Sequence, residues 1–172
     1  MIRRSHYSTA LTQAQGIFSE TMSLFEVWEE GMGPYDLFEK ARAQNILGAA
    51  SERRLRNVIV EGFASRYLRE PILEAARTLK ILFENNPDTR FLQQINLLYT
   101  ARQHGILFDF IKEIYWEKVS SGSPSVATKD VGVLIEKGLL TGKLEKAWSP
   151  SVRKRVSSYV MGAAADLGLL GT

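Results

Sequence analysis

The chain has 172 residues, no cysteine, two histidines, 22 basic and 19 acidic side chains, and 45% apolar residues. That fits one globular domain, or a domain with a small appendage, and it excludes disulfides, thiolate metal sites and cysteine nucleophiles. The net charge of +3 is unevenly spread: residues 51–70 hold 5 basic and 3 acidic side chains and residues 121–172 hold 7 and 4, whereas residues 1–50 are net acidic, an asymmetry that suggests an anionic partner.

Helical periodicity runs through the chain, and no segment alternates as a strand would. A first helix is predicted over about residues 9–29, with Leu11, Phe18, Met22, Phe25 and Val27 as apolar positions, broken at Gly-Met-Gly-Pro 31–34. A short helix follows over 34–44 and stops near Asn45 to Gly48. Ser51 is placed to cap a third helix over 51–69, whose Leu55, Ile59, Phe63 and Tyr67 fall four apart on one stripe. Pro71 ends it and is expected to open the next helix, 71–85, and Asn86-Pro87-Asp88 repeats that device before a helix over 89–103. Gly105 separates the last helix of this bundle, 106–119.

Residues 120–125, Ser-Ser-Gly-Ser-Pro-Ser, read as a short linker between an N-terminal bundle, 1–119, and a C-terminal unit, 126–172; packing of the two as one domain is the alternative. Two longer helices around a short one at about 139–148 would make that unit three-helical and helix-turn-helix-like. Ser-Pro-Ser-Val occurs at 123–126 and again at 149–152, which suggests one N-cap solution used twice. The fold class is therefore all-α. No run approaches the 18 apolar residues of a membrane span, and no apolar region follows the basic N-terminus as in a signal peptide, so a cytoplasmic protein is expected.

Enzyme signatures are missing. His6 and His104 have no carboxylate or second histidine at ligand spacing, and no phosphate-loop, dinucleotide or nucleophile-elbow pattern occurs. No cofactor or metal is implied. Asp109, Glu113 and Glu117 form an acidic ladder that reads as a solvated helix face, and Trp28, Trp116 and Trp148 read as core or inter-helix anchors. On helix 51–69, Arg54, Ser65 and Arg69 lie opposite the apolar stripe, with Arg56 and Arg66 beside it and Arg53 preceding them. Either paired surface arginines or a phosphate-contacting face accounts for them.

The last helix poses a sharper question. Val152, Val156, Tyr159, Val160, Ala163 and Leu167 form its apolar stripe, yet Arg153, Lys154 and Arg155 crowd its first turns, where the macrodipole disfavours cations. Between the shoulders made by Arg153 and Arg155, the exposed face is read as Ser157, Ser158, Met161 and Ala165. Small residues there would let a large anionic surface approach. A phosphate would meet Ser151, the cations and the terminal N–H groups together, as on DNA-reading helices. Lys129, Lys143 and Lys146 would enlarge this patch, and Arg53, Arg54 and Arg69 would form a second.

Four segments in order, 7–28, 45–68, 104–119 and 146–170, resemble the BrxA family of bacteriophage-exclusion (BREX) systems. The most specific parts are Leu107-Phe108-Asp109-Phe110, the Arg66-Tyr67-Leu68 helix end, Trp148-Ser149 and the closing Gly168-Leu169-Leu170. The resemblance implies a non-enzymatic phage-defence component with a bundle similar to the antitermination factor NusB and with DNA-binding activity. It also implies duplex DNA, and the BREX methyltransferase or ATPase components, as partners, with no membrane association. Family members commonly continue past Gly-Leu-Leu with a further segment, whereas this sequence stops at Thr172. A scaffold role within the defence complex, or RNA binding like the antitermination factor, stays open.

Overall fold

The computed structural model describes residues 6–14, 16–48, 50–69, 73–85, 88–122 and 125–170. They form eight helices, and no strand occurs among the described residues. A short 3-10 turn, Ala10–Thr12, precedes α1, Phe18–Val27, and α2, Pro34–Ala43. The stretches Glu52–Arg56, Asn57–Ala64 and Ser65–Tyr67 run on as one helix, α3, whose middle stretch is π-helical. Then come α4, Leu73–Glu84, and α5, Thr89–Gln103. Gly105–Asp109, the π-helical Phe110–Tyr115 and Trp116–Ser120 form α6. The chain closes with α7, Thr128–Leu140, and α8, Pro150–Asp166.

Several helix starts are dictated locally. Ser51 Oγ accepts the Arg54 N–H (3.2 Å), Asp88 Oδ1 that of Arg90 (3.3 Å), and Ser149 Oγ that of Val152 (3.4 Å). Each answers a donor that the first helical turn leaves without a backbone acceptor. At α2 and α7 the third residue does this in reverse: Asp36 and Asp130 accept the N–H of Gly33 (3.1 Å) and Ala127 (2.8 Å). Only the second Ser-Pro-Ser-Val therefore starts a helix at its serine, because α7 begins at Thr128 after Ala127. Pro71, Pro87 and the Ser123-Pro124 pair lie outside the described residues.

Two apolar cores hold the bundle. One gathers Leu24 and Phe25 of α1, Trp28 just after it, Leu37 of α2, Leu55, Ile59, Phe63 and Tyr67 of α3, and Leu79 of α4. Its Phe25 and Phe63 rings meet edge to face at 4.8 Å, the preferred arrangement for the ring quadrupoles. The other joins Tyr7 and Leu11 to Ile106, Leu107 and Phe110 of α6, Val131, Leu134 and Ile135 of α7, and Val156, Val160 and Ala163 of α8. The closing helix thus packs with α6 and with the start of the chain.

Three expectations give way here. Residues 141–149 form turns rather than a short helix, so α7 and α8 are joined directly. The helix expected over 9–29 is interrupted between Gln13 and Ile17. Ile17 is buried and left-handed (φ 47°), and the Phe18 N–H that opens α1 is held by Asp166 Oδ2 (2.9 Å), from the end of α8. Asp109 and Glu113 are not a solvated ladder. Asp109 is buried, accepts from Tyr7 Oη (2.7 Å) and pairs with Lys143 (2.6 Å), while Glu113 pairs with Lys137 (2.7 Å).

Residues 7–14, 16 and 17 act as a strap across both cores. At one end the Tyr7 ring lies where a Cβ on Gly138 would come within 2.4 Å of it. At the other, a Cβ on Gly62 would come within 2.4 Å of Ile17 Cδ1, so only glycine lets the strap lie on the α3 backbone. Arg66, at the end of α3, reaches into the strap and donates to the carbonyls of Gly16 (2.9 Å) and Ala14 (2.7 Å). Expected beside the apolar stripe of its helix, it is fully buried, and Ser65, expected on the outer face, is buried too.

His104, between α5 and α6, is also buried. Desolvation, then the Arg66 charge, pushes its pKa down to about 3. The folded protein therefore holds it neutral while the unfolded chain protonates it below about 6.5. Its contribution is complete above that pH and is lost as pH falls toward 3. Relative to a His104→Leu variant, the wild type should lose about 2 kcal/mol of stability between pH 7 and pH 5. Denaturant melts of both proteins at the two pH values measure this, and parallel losses would contradict it.

Candidate nucleic-acid interface

The start of α8 is built by Ser149, which caps it, and Pro150, which fixes the backbone of the first turn at no cost in hydrogen bonding. Ser151 is exposed, and its Oγ lies 3.1 Å from Ser149 Oγ. No acidic residue stands in the first turn. Val156, Val160, Ala163 and Leu167 are buried as the periodicity requires, which fixes the rotation of the helix and carries Lys154 and Arg155 into solvent. Among the described residues neither of these two cations meets a carboxylate.

Arg153 differs. Its guanidinium is tied to Glu136 of α7, a partner absent from the sequence reading because it lies 17 residues upstream on another helix. The face beyond the cations also departs from expectation. Ser158 and Ala165 are exposed, but Ser157 is buried and Met161 half-buried, since α8 is covered on more than one side by α7, α6 and the N-terminal strap.

The lysines divide in the same way. Lys129, near the start of α7, and Lys146, in the loop before α8, are exposed and have no carboxylate partner among the described residues. Lys143 is half-buried, bound to Asp109 and 3.6 Å from Glu113, with its ammonium 5.9 Å from the Tyr7 ring centre. It is a fastener of the strap and no part of a free surface. The hydrogen bond from Lys137, with Lys143 behind it, holds the Glu113 carboxyl below its ordinary range. Burial raises the Asp130 carboxyl, but the Lys118 ammonium and the Ala127 N–H together bring it below its usual value.

On α3, Arg53 and Arg56 are exposed, as is Arg69 two residues past its end, whereas Arg54 is bound to Glu20 of α1 (2.8 Å). Glu20 lies two residues from Phe18, whose N–H Asp166 holds. Arg54 is thus anchored close to the last turn of α8, and Lys154 sits about 18 Å away along that helix, at 1.5 Å per residue. The two cation groups belong to opposite ends of α8.

Trp28 is buried and Trp148 half-buried, as anchors should be, but Trp116 stands 54% exposed on α6. Among the described residues no three His, Asp or Glu side chains gather as metal ligands, and no helix is long and apolar enough to cross a membrane. No curated protein and no solved structure matches the chain. The BrxA family model matches residues 5–172. With nearly the whole sequence matched, the chain belongs to the BrxA family of bacteriophage-exclusion systems.

Proposed function

We propose that this chain is a non-enzymatic DNA-binding component of its phage-defence system, contacting duplex DNA mainly through phosphates. One observation carries the reading: Lys154 and Arg155 stand in solvent at the head of α8, and no carboxylate among the described residues neutralises them. Lys129 and Lys146, also unpaired, flank the same helix pair, and exposed Ser151 adds a hydroxyl beside the first turn. Phosphate oxygens would accept from these groups, and released counterions would supply the driving force. Arg53 and Arg69, at opposite ends of α3 and about 24 Å apart at 1.5 Å per residue, offer two further, separate contacts; Arg54 and Lys143 are already occupied.

Contacts of this kind position a duplex without reading its sequence. In a mobility-shift titration, two unrelated duplexes of equal length should bind with affinities within about threefold of each other, and weaken together as salt rises. An absence of any shift at low salt would refute the proposal. Structured RNA added as competitor tests the reading that an antitermination-like bundle favours: displacement of duplex at equal nucleotide concentration would transfer the assignment to RNA.

A scaffold reading has its own support, in the exposed apolar side chains of α6 and α7. The BREX methyltransferase and ATPase components are the proposed partners for that role. Co-purification of each with the full chain, before and after nuclease treatment, separates direct contact from bridging by DNA.

A further inference from the structure

Three cations crowd the head of α8, and the protein keeps one of them for itself. Val156, Val160 and Ala163 fix the rotation of the helix. At about 100° per residue, Arg153 then falls on the shoulder toward α7, Lys154 outward and Arg155 on the far shoulder. Arg153 alone of the three meets a carboxylate among the described residues: Glu136, on the side of α7 turned to α8, holds its guanidinium. The pair is open to water, with side chains 37% and 64% exposed. An ion pair this exposed contributes little to stability. Its effect falls on what approaches the helix head.

Glu136 stands among cations. Lys129, seven residues earlier and so about 10 Å along the same side of α7, is exposed and has no carboxylate partner among the described residues. Lys137 is turned away, to Glu113 of α6. Glu145, in the loop before α8, is exposed and meets no cation among the described residues. Glu136 is thus the acid that takes a cation out of this patch.

A phosphate arriving at the head of α8 must compete with Glu136 for Arg153. Moving the guanidinium across would exchange one anion for another. It would also leave the carboxylate unpaired, facing a phosphodiester of the same sign on a surface losing its water. That exchange gains little, so the third contact stays closed. We infer that Glu136 is a built-in brake on nucleic-acid affinity, which withholds Arg153 and leaves Lys154 and Arg155 to hold the phosphates. This role depends on the phosphate-binding reading of the helix head and adds a residue that limits it. The consequence is a weaker and less salt-sensitive hold on duplex than three adjacent cations would give.

The full chain and a Glu136→Gln variant should be titrated against one labelled duplex between about 50 and 200 mM salt. Glutamine keeps the size of the side chain and removes its charge. The variant should bind about eightfold more tightly at about 0.1 M salt, with a slope of log affinity against log salt steeper by about 0.9, the worth of one added phosphate contact. Adding Arg153→Gln to it should return the affinity to within about twofold of the wild type. Glu26→Gln removes the same charge from an exposed position on α1 and should leave affinity within about twofold of the wild type. Unchanged affinity and slope in Glu136→Gln overturn the brake. So does a gain that survives the loss of Arg153, or an equal gain from Glu26→Gln. The reversal Lys154→Glu/Arg155→Glu separates the two levels of the reading. If it weakens binding while Glu136→Gln changes nothing, the phosphate site stands and the brake alone falls; if it too changes nothing, both fall. Thermal melting of Glu136→Gln should match the wild type, and a variant that melts early is replaced by Glu136→Ala, judged by the same criteria.

Discussion

Replacing Arg66 by methionine is expected to lower the unfolding free energy by about 3–5 kcal/mol, the cost of breaking a buried charged network. The Arg66 side chain is 1% exposed and gives two short hydrogen bonds to the strap, at Gly16 O and Ala14 O. A charged donor bound to a neutral carbonyl contributes about 1.5–3 kcal/mol, and methionine would leave two buried acceptors unanswered. It matches much of the arginine stem in volume, so the loss would report hydrogen bonding more than packing. Lysine would not rescue the protein, because a single ammonium cannot span two carbonyls as the planar guanidinium does. Urea melts of the three proteins at pH 7 measure the difference. A loss below about 1 kcal/mol for the methionine variant would show that the strap is held by its apolar contacts alone.

The double reversal Lys154→Glu/Arg155→Glu is expected to weaken duplex binding roughly 60-fold at about 0.1 M salt while leaving stability within about 0.5 kcal/mol of the wild type. The estimate follows from losing two phosphate contacts, each worth about 0.9 in the slope of log affinity against log salt. Stability should hold because both side chains are solvated and unpaired. Acids in the first turns of α8 also suit its macrodipole better than cations do. The control is Arg153→Glu. Its guanidinium is already neutralised by Glu136, so its reversal should cost less in DNA affinity and more in stability. Fluorescence anisotropy of a labelled duplex with each variant checks both expectations.

Where residues act through their own neighbourhood, the sequence was readable. Ser51, Asp88 and Ser149 mark helix starts because a cap is a contact between residues two or three positions apart. The stripe Leu55, Ile59, Phe63 and Tyr67 is buried as its spacing requires, and so are Val156, Val160, Ala163 and Leu167 of the α8 stripe, whereas Val152 and Tyr159 are half-buried. Misreadings came wherever the deciding partner was distant. The break before α1 depends on Asp166, 148 residues away from the Phe18 it caps. Asp109 reads as one rung of an exposed ladder until Tyr7 and Lys143 close on it. Residues 139–148 contain enough helix formers to suggest a turn of helix, but Leu144 is pulled into the core while Lys143 is pulled to Asp109, and the backbone follows them.

The candidate site was legible in outline only. Three adjacent cations at one helix head can be counted from the sequence, but which of them is free depends on a carboxylate on α7. Trp116 was misjudged for a related reason. Its flanking apolar residues satisfy the helix period, and periodicity alone does not show that the ring falls on the uncovered side of α6. Arg66 offered no signal at all: an arginine beside an apolar stripe is more often a surface residue than a buried fastener.

On the reading proposed above, Lys154 and Arg155 at the head of α8, without a carboxylate partner among the described residues, bind nucleic-acid phosphate. The most direct test is the salt dependence of duplex affinity, measured by anisotropy for the wild type and for Lys154→Glu/Arg155→Glu between about 50 and 200 mM salt. The account predicts a linear fall in log affinity for both, with the variant's slope shallower by about 1.8. Equal slopes would contradict it and place whatever DNA binding remains elsewhere on the protein.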